Sequence, residues 1–231
     1  MRKLVRILLP SLAVLLLIPF AQAQERKYRF EFFAGAGYPI RENFVIGSPQ
    51  AESPIEGQHV FSWGGQGGVR FGIDGRRYWG QDYSYSYGQN ATRLETDFGG
   101  FSFTNRVHQA STSILFYPGS LERRVFFPYL TAGVGATWVT VSQRTITESL
   151  DPREAGFGPL KSEVIAAFHA GVGARIRLNE RFGLRLDARD YMSRALRYGF
   201  PKTSTDPTAV VLPVGGAFHQ IATTFGLVVH F

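Results

Sequence analysis

Apolar residues alternate with polar or small ones at period two over much of the chain, and Gly, Pro, Asn and Asp collect between these stretches. That alternation marks strands with two unlike faces. It predicts eight strands, near residues 28–40, 59–73, 77–91, 101–117, 126–142, 164–178, 182–197 and 217–231. Short turns join the second to the third (Asp74-Gly75-Arg76), the fourth to the fifth (Pro118 to Val125) and the sixth to the seventh (Asn179-Glu180-Arg181). Long polar loops at 41–58, 143–163 and 198–216 alternate with them, and the link at 92–100 is intermediate. Short turns at one rim, long loops at the other and an even strand count describe a transmembrane barrel with both chain ends at the short-turn side. The expected fold class is therefore all-β: an eight-stranded antiparallel up-and-down transmembrane β-barrel.

Parity assigns the faces. In the last strand Ile221, Thr223, Phe225, Leu227, Val229 and Phe231 share one face, against Ala222, Thr224, Gly226, Val228 and His230. The sixth sets Phe168, Ala170, Val172, Ala174, Ile176 and Leu178 against His169, Gly171, Gly173, Arg175 and Arg177. The seventh sets Phe182, Leu184, Leu186 and Ala188 against Gly183, Arg185, Asp187 and Arg189, and the second sets Phe61, Trp63, Val69, Phe71 and Ile73 against Ser62, Gln66 and Arg70. One face is apolar and the other carries charge.

A soluble exported, lipocalin-like binding barrel would enclose the apolar face, bringing Trp63, Phe71, Phe168, Phe182 and Phe225 into one lumen. Eight strands leave an interior only just wide enough for side chains, so that set is too bulky. With the charges inside instead, Gly35, Gly37, Gly133, Gly135, Gly171 and Gly173 point inward and make room for arginine. Trp79, Phe182 and Phe231 then mark one rim and Tyr38, Trp63, Tyr85 and Trp138 the other, as two aromatic girdles. The fourth strand breaks the pattern: Phe101, Phe103 and Val107 share a parity with Leu115, but Ile114 and Phe116 take the opposite one. A β-bulge there would reconcile them.

The N-terminus changes the compartment. Met-Arg-Lys-Leu-Val-Arg precedes an apolar run from Ile7 to Phe20, then Ala21-Gln22-Ala23. This reads as a secretory signal peptide over residues 1–23, cleaved between Ala23 and Gln24, leaving 24–231 as the barrel domain. Three of the 25 basic residues (Arg2, Lys3, Arg6) belong to that leader, so the mature excess of charge falls well below the formal +7. Single arginines alternating along strands are not the clustered face that nucleic acid requires. The chain has no cysteine, so neither disulfides nor thiolate metal sites enter.

The C-terminal Thr-Thr-Phe-Gly-Leu-Val-Val-His-Phe (223–231) resembles the last-strand signal of bacterial outer-membrane proteins. That resemblance implies recognition by the barrel-assembly machinery through Phe225, Leu227, Val229 and Phe231. The segment Ala174 to Tyr191 is similar to the penultimate hairpin of the OmpA-like and OmpX-like eight-stranded barrel domains. The resemblance covers the mature chain in architecture and the last four strands in residue pattern. It implies residence in the outer membrane, in contact with its lipid and lipopolysaccharide. The periplasmic domain of full-length OmpA-type proteins has no counterpart here, so a cell-wall tether does not carry over.

Candidate chemistry lies in the lumen. Glu31, Arg70, Asp82, Arg175, Arg177, Arg185, Asp187 and Arg189 all fall on the inward face, where buried charges must pair. A lumen plugged by ion pairs is the favoured reading, with a narrow path for ions or small solutes as its rival. The five histidines (59, 108, 169, 219 and 230) show no metal-ligand spacing, and no metal or cofactor is expected. His108 lies on the opposite face from Ser111 and Ser113, so that strand holds no Ser/His pair of its own. No enzymatic activity is expected, a lipid-modifying enzyme remaining the alternative. Loops 41–58, 143–163 and 198–216, the last with the apolar run Ala209 to Val214, are the candidate surface for an extracellular ligand.

Overall fold

The chain is described from a computed structural model. It covers residues 27–39, 42–46, 55–75, 78–96, 99–119, 125–148, 161–199 and 217–231, with the backbone alone for 39, 42–46, 55–61, 93–96, 99–102 and 142–148. The leader with its cleavage point at Ala23 and Gln24, most of the three long loops, and the side chain of Phe61 lie outside the described residues.

Ten strands follow one another: β1 (Lys27–Pro39), β2 (Glu42–Ile46), β3 (Ile55–Phe61), β4 (Gly64–Asp74), β5 (Trp79–Thr96), β6 (Gly99–Phe116), β7 (Phe126–Glu148), β8 (Glu163–Arg177), β9 (Phe182–Arg194) and β10 (Ala217–His230). Every pairing is antiparallel, β1 joins β10, and the β5–β6 pairing closes the ring. The barrel has eight staves, because β3 and β4 lie end to end along β5. The predicted strand at 59–73 thus follows one line but is interrupted. Phe61 pairs with Thr92 and Gln66 with Gly88, five steps against four, so a bulge sits at Ser62–Gly65. Ser62 holds it by donating from both its amide and its hydroxyl to the Ala91 carbonyl.

The register fixes the tilt. The row of pairs leaving β1 at Tyr38 runs through Ile221, Asp190, Ala170, Ala132, Ile114, Gln81 and Ile73, and returns to β1 at Tyr28. With about 3.3 Å per residue and about 4.8 Å between strands, that ten-residue offset tilts the strands by about 40°. Tyr28 and Tyr38 then stand about 25 Å apart along the axis, the height of an outer-membrane apolar band. Tyr28, Trp79, Phe126, Phe182 and Phe231 are exposed at the lower level, and Tyr38, Trp63, Tyr87 and Trp138 at the upper. Between the girdles the outer face is largely apolar, with Phe32, Phe168, Val172, Leu186 and Phe225 each more than half exposed.

Two expectations are corrected. The parity of β6 does not break among its described side chains: Phe103, Asn105, Gln109, Ser111, Ser113, Leu115 and Tyr117 are all buried, while Arg106, Ile114 and Phe116 are outside. Its inward apolar residues are lumen packing, so no bulge in β6 is needed. The irregularity lies in the pairing with β7, whose partner jumps from Thr147 to Ser142 between Ser102 and Thr104. The seventh predicted strand stops at Arg194 rather than at residue 197. Ala195, Leu196 and Tyr198 turn inward and are buried, with positive φ at Tyr198 and Gly199. In addition, β2 and β3 form a hairpin within the predicted loop 41–58, carried on the upper end of β5.

Candidate functional site: the charged lumen

Strand alternation delivers the inward charges to one compartment, and register sets their heights. Arg70 of β4 lies opposite Glu31 of β1, and its Nη1 donates to Glu31 Oε1 at 2.6 Å. Arg185 of β9 reaches Glu31 Oε2 at 3.2 Å, Asp82 Oδ2 at 2.9 Å and Asp187 Oδ2 at 2.9 Å. Arg189 Nε donates to Asp187 Oδ1 at 2.5 Å, and its Nη1 donates to Ser113 Oγ at 3.0 Å. Glu31, Arg70, Asp82, Arg185, Asp187 and Arg189 are thus one contiguous network, each at most 5 % exposed.

Arg175 and Arg177 stand apart from it. Arg175 is buried toward the periplasmic rim, 2.9 Å from Asp74 and over the rings of Tyr117 and Phe127. Arg177 is half-buried at the mouth, its guanidinium 5.0 Å from the Phe127 ring centroid. Sequence reasoning missed Arg29 and Asp74, which join the two groups: Arg29 donates to both Asp74 and Asp82. Period two offered the signal, since Arg29 shares the parity of Glu31 and Asp74 that of Arg70. Asp74 falls within the predicted turn Asp74-Gly75-Arg76.

Inward glycines make the network possible. A Cβ at Gly72 would overlap the Arg29 guanidinium, and one at Gly226 the Glu31 carboxylate. Neutral partners complete the lower half. Tyr129 donates to Asp187 at 2.5 Å and lies under the Arg185 guanidinium, and Leu115, Tyr117, Phe127 and Tyr129 form an apolar cluster beside it.

Among the described residues, small cavities of about 20, 20 and 10 Å³ lie in and above the network, lined chiefly by Gln66, Ser86, Asn90, Gln109, Tyr191 and Gln220, the smallest also by Arg70, Asp187 and Arg189. Each has room for about one water. Tyr198 is buried in the upper lumen. Asn105 Nδ2 donates to its hydroxyl at 3.1 Å, and Phe103 packs edge-on at 5.1 Å. Burial pushes the Tyr198 phenol well above its ordinary range, so the hydroxyl stays protonated.

Other candidate groups are accounted for. His108 faces outward, hydrogen-bonded to Tyr85 at 2.8 Å, away from the buried Ser111 and Ser113. Ser113 instead meets His169 Nε2 at 2.9 Å, but His169 Nδ1 has no partner among the described residues, so no acid orients the imidazole. Among the described residues no three His, Asp or Glu side chains are grouped to hold a metal ion. In β10, Phe225 and Leu227 face outward, Val229 is half-buried, and Phe231 is exposed at the rim, where its backbone exchanges hydrogen bonds with Tyr28.

The family described as outer membrane protein beta-barrel domain matches residues 11–218. No match was found among curated proteins. Among solved structures the chain is similar to the outer membrane protein OprG of Pseudomonas aeruginosa, at 13% identity, with 89% of this chain and 95% of that one covered and a TM-score of 0.62. Neisserial surface protein A is also similar, at 10% identity, covering 90% and 100% of the two chains with a TM-score of 0.49. The OprG likeness bears on the fold, that of a closed antiparallel barrel. With a family match over most of its length and an apolar outer face between two aromatic girdles, the chain belongs to the outer membrane protein beta-barrel domain family and is an outer-membrane β-barrel protein.

Proposed function

We propose that the protein is a non-conducting, non-enzymatic barrel with a structural and surface-interaction role, acting through its lipid-facing wall and the loops at 41–58, 143–163 and 198–216. One observation carries this reading: the lumen is filled at two separate levels, by the Arg/Asp/Glu network below and by Tyr198 with Asn105 and Phe103 above. Each of the small cavities among the described residues of the lumen has room for about one water. The partners this role implies are outer-membrane lipid and lipopolysaccharide, an extracellular ligand at the loops, and the barrel-assembly machinery during biogenesis, through Phe225, Leu227, Val229 and Phe231.

Planar-bilayer recording of the purified full chain tests it. The expected result is a folded, heat-shiftable protein that inserts and gives no unitary conductance. Reproducible channels from the unmodified protein would overturn the reading in favour of a narrow pore. Release of fatty acid or change of lipid A in reconstituted membranes would overturn its non-enzymatic part.

A further inference from the structure

The lipid-facing wall has a hollow. Across β8, β9, β10 and β1 lies a dent of about 670 Å³, whose lining is mostly apolar. Its floor is Ala36, Thr223 and Ala188, one row of paired residues, and Phe225 and Leu186 bound it on the periplasmic side. The next outward residue of β9 above Ala188 is Asp190.

Asp190 is not there for packing. An ionisable side chain on the membrane-facing surface is costly and marks a functional site by default. Its Oδ2 is 2.7 Å from His219 Nδ1, both side chains 36% exposed, while Oδ1 is shielded and has no hydrogen-bond partner among the described residues. An ionised carboxylate only accepts hydrogen bonds, so His219 carries its proton on Nδ1. In its neutral form its Nε2 is then a second acceptor. With Asp190 Oδ1 shielded, the exposed His219 ring, oriented by Asp190, presents its Nε2 to a donor. Four residues above Asp190 on the same face stands Arg194, 51% exposed and only loosely paired, 3.8 Å from Glu163. With the strands tilted as above, it lies about 10 Å nearer the cell exterior.

Read from the membrane outward, the column offers an apolar hollow, then acceptors, then a cation. That order matches one kind of amphiphile: an acyl chain, hydroxyl or amide donors at the junction of chain and sugar, and a phosphate beyond. An amine phospholipid has its phosphate below its amine and would set that phosphate against Asp190. We infer that β8, β9, β10 and β1 carry a binding site for an acylated, phosphate-bearing glycolipid of the outer leaflet, with the chain over Ala188, the donor at Asp190 and His219, and the phosphate at Arg194.

The site rests on the proposed contact of the lipid-facing wall with lipopolysaccharide and is independent of whether the lumen conducts. The test incubates the purified full chain in detergent with bisphosphorylated lipid A or its dephosphorylated form. After gel filtration, bound hydroxy fatty acid is counted per barrel. The unmodified protein retains lipid A and prefers the phosphorylated form. Ala188→Phe, which fills the hollow, and Asp190→Leu each lower retention by about tenfold, the scale of one charge-assisted hydrogen bond or a lost subsite. Arg194→Ala abolishes the preference for phosphate. Asp190→Leu folds at least as well as the parent, as its unboiled gel mobility shows, which separates a binding role from a structural one. Equal retention by the unmodified protein and Ala188→Phe overturns the site. So does a detergent-resistant dimer that Ala188→Phe dissociates, since a second copy would then fill the hollow.

Discussion

At the scale of single residues the centre of the molecule is Asp82, which is fully buried. It accepts from Arg29, lies 2.9 Å from Arg185 and sits within 4.0 Å of both Arg70 and Arg189. Its loss leaves several guanidinium groups facing one another without a counter-charge. Removing one partner of a buried pair costs about 3–5 kcal/mol. Asp82→Asn is therefore expected to lower the urea midpoint of the refolded barrel by that equivalent. Asp82→Asn combined with Arg185→Met should recover part of it, because the pair is then removed together. Arg177→Ala, at the half-buried mouth, should change stability by less than about 1 kcal/mol. Equal effects of Asp82→Asn and Arg177→Ala would show that the network is solvated and does not hold the core. Six of the eight charges read from parity do meet in this network, because period two is a property of the backbone and leaves no freedom of face. What parity lacks is height. It placed Arg175 and Arg177 with the others, although their position along the strand puts them among Tyr117 and Phe127 near the rim.

At the scale of elements, β10 gives the sharpest contrast between faces. Phe225 points to lipid near mid-height, whereas its neighbour Gly226 faces inward beneath Glu31. Phe225→Arg is expected to cost about 2–4 kcal/mol in membrane vesicles, the cost of a cation at the midplane. Unchanged assembly and stability would invert the assignment of faces. Closure imposes a second constraint at the β1–β10 seam, where a Cβ on Gly35 would overlap the Thr223 carbonyl. Gly35→Val should yield little heat-shiftable barrel, while Gly65→Ala, with open space around it, should fold normally. The staves were legible because each repeats one pattern over ten or more residues. The failures have local causes. The bulge at Ser62–Gly65 preserves hydrophobic periodicity while changing the pairing count, so composition cannot reveal it. The inward Phe103 and Leu115 looked like lipid-facing residues because the lumen is not uniformly polar. The end of β9 depends on the left-handed backbone at Tyr198, which a tyrosine does not advertise.

At the scale of the whole molecule the proposed non-conducting role rests on two seals in series, whose contributions are separable. The lower seal spans the barrel from β1 to β9 through ion pairs, while the upper depends on the short segment 195–199 folded over the mouth. On that proposal a path for ions opens only where both are missing. Tyr198→Gly removes the ring lying over Asn105 and Thr92 and leaves the network whole, so this variant should remain silent in planar bilayers. Arg185→Ala with Asp187→Ala takes out a cation and an anion together and leaves the net lumen charge unchanged, with Arg189 keeping Asp82 at 3.7 Å as its counter-charge. That variant should also be silent, because Tyr198 still packs with Phe103 and Asn105 in the upper lumen. All three substitutions combined should conduct, and the current should fall as the permeating ion is enlarged, since eight strands leave an interior only about one side chain wide. If Tyr198→Gly alone passes ions, the charged network is permeable and the upper segment is a gate. If the triple variant stays closed while still showing a heat-shifted band, the aromatic cluster around Tyr117 and Phe127 is a third barrier, and the periplasmic rim rather than the centre decides what the barrel admits.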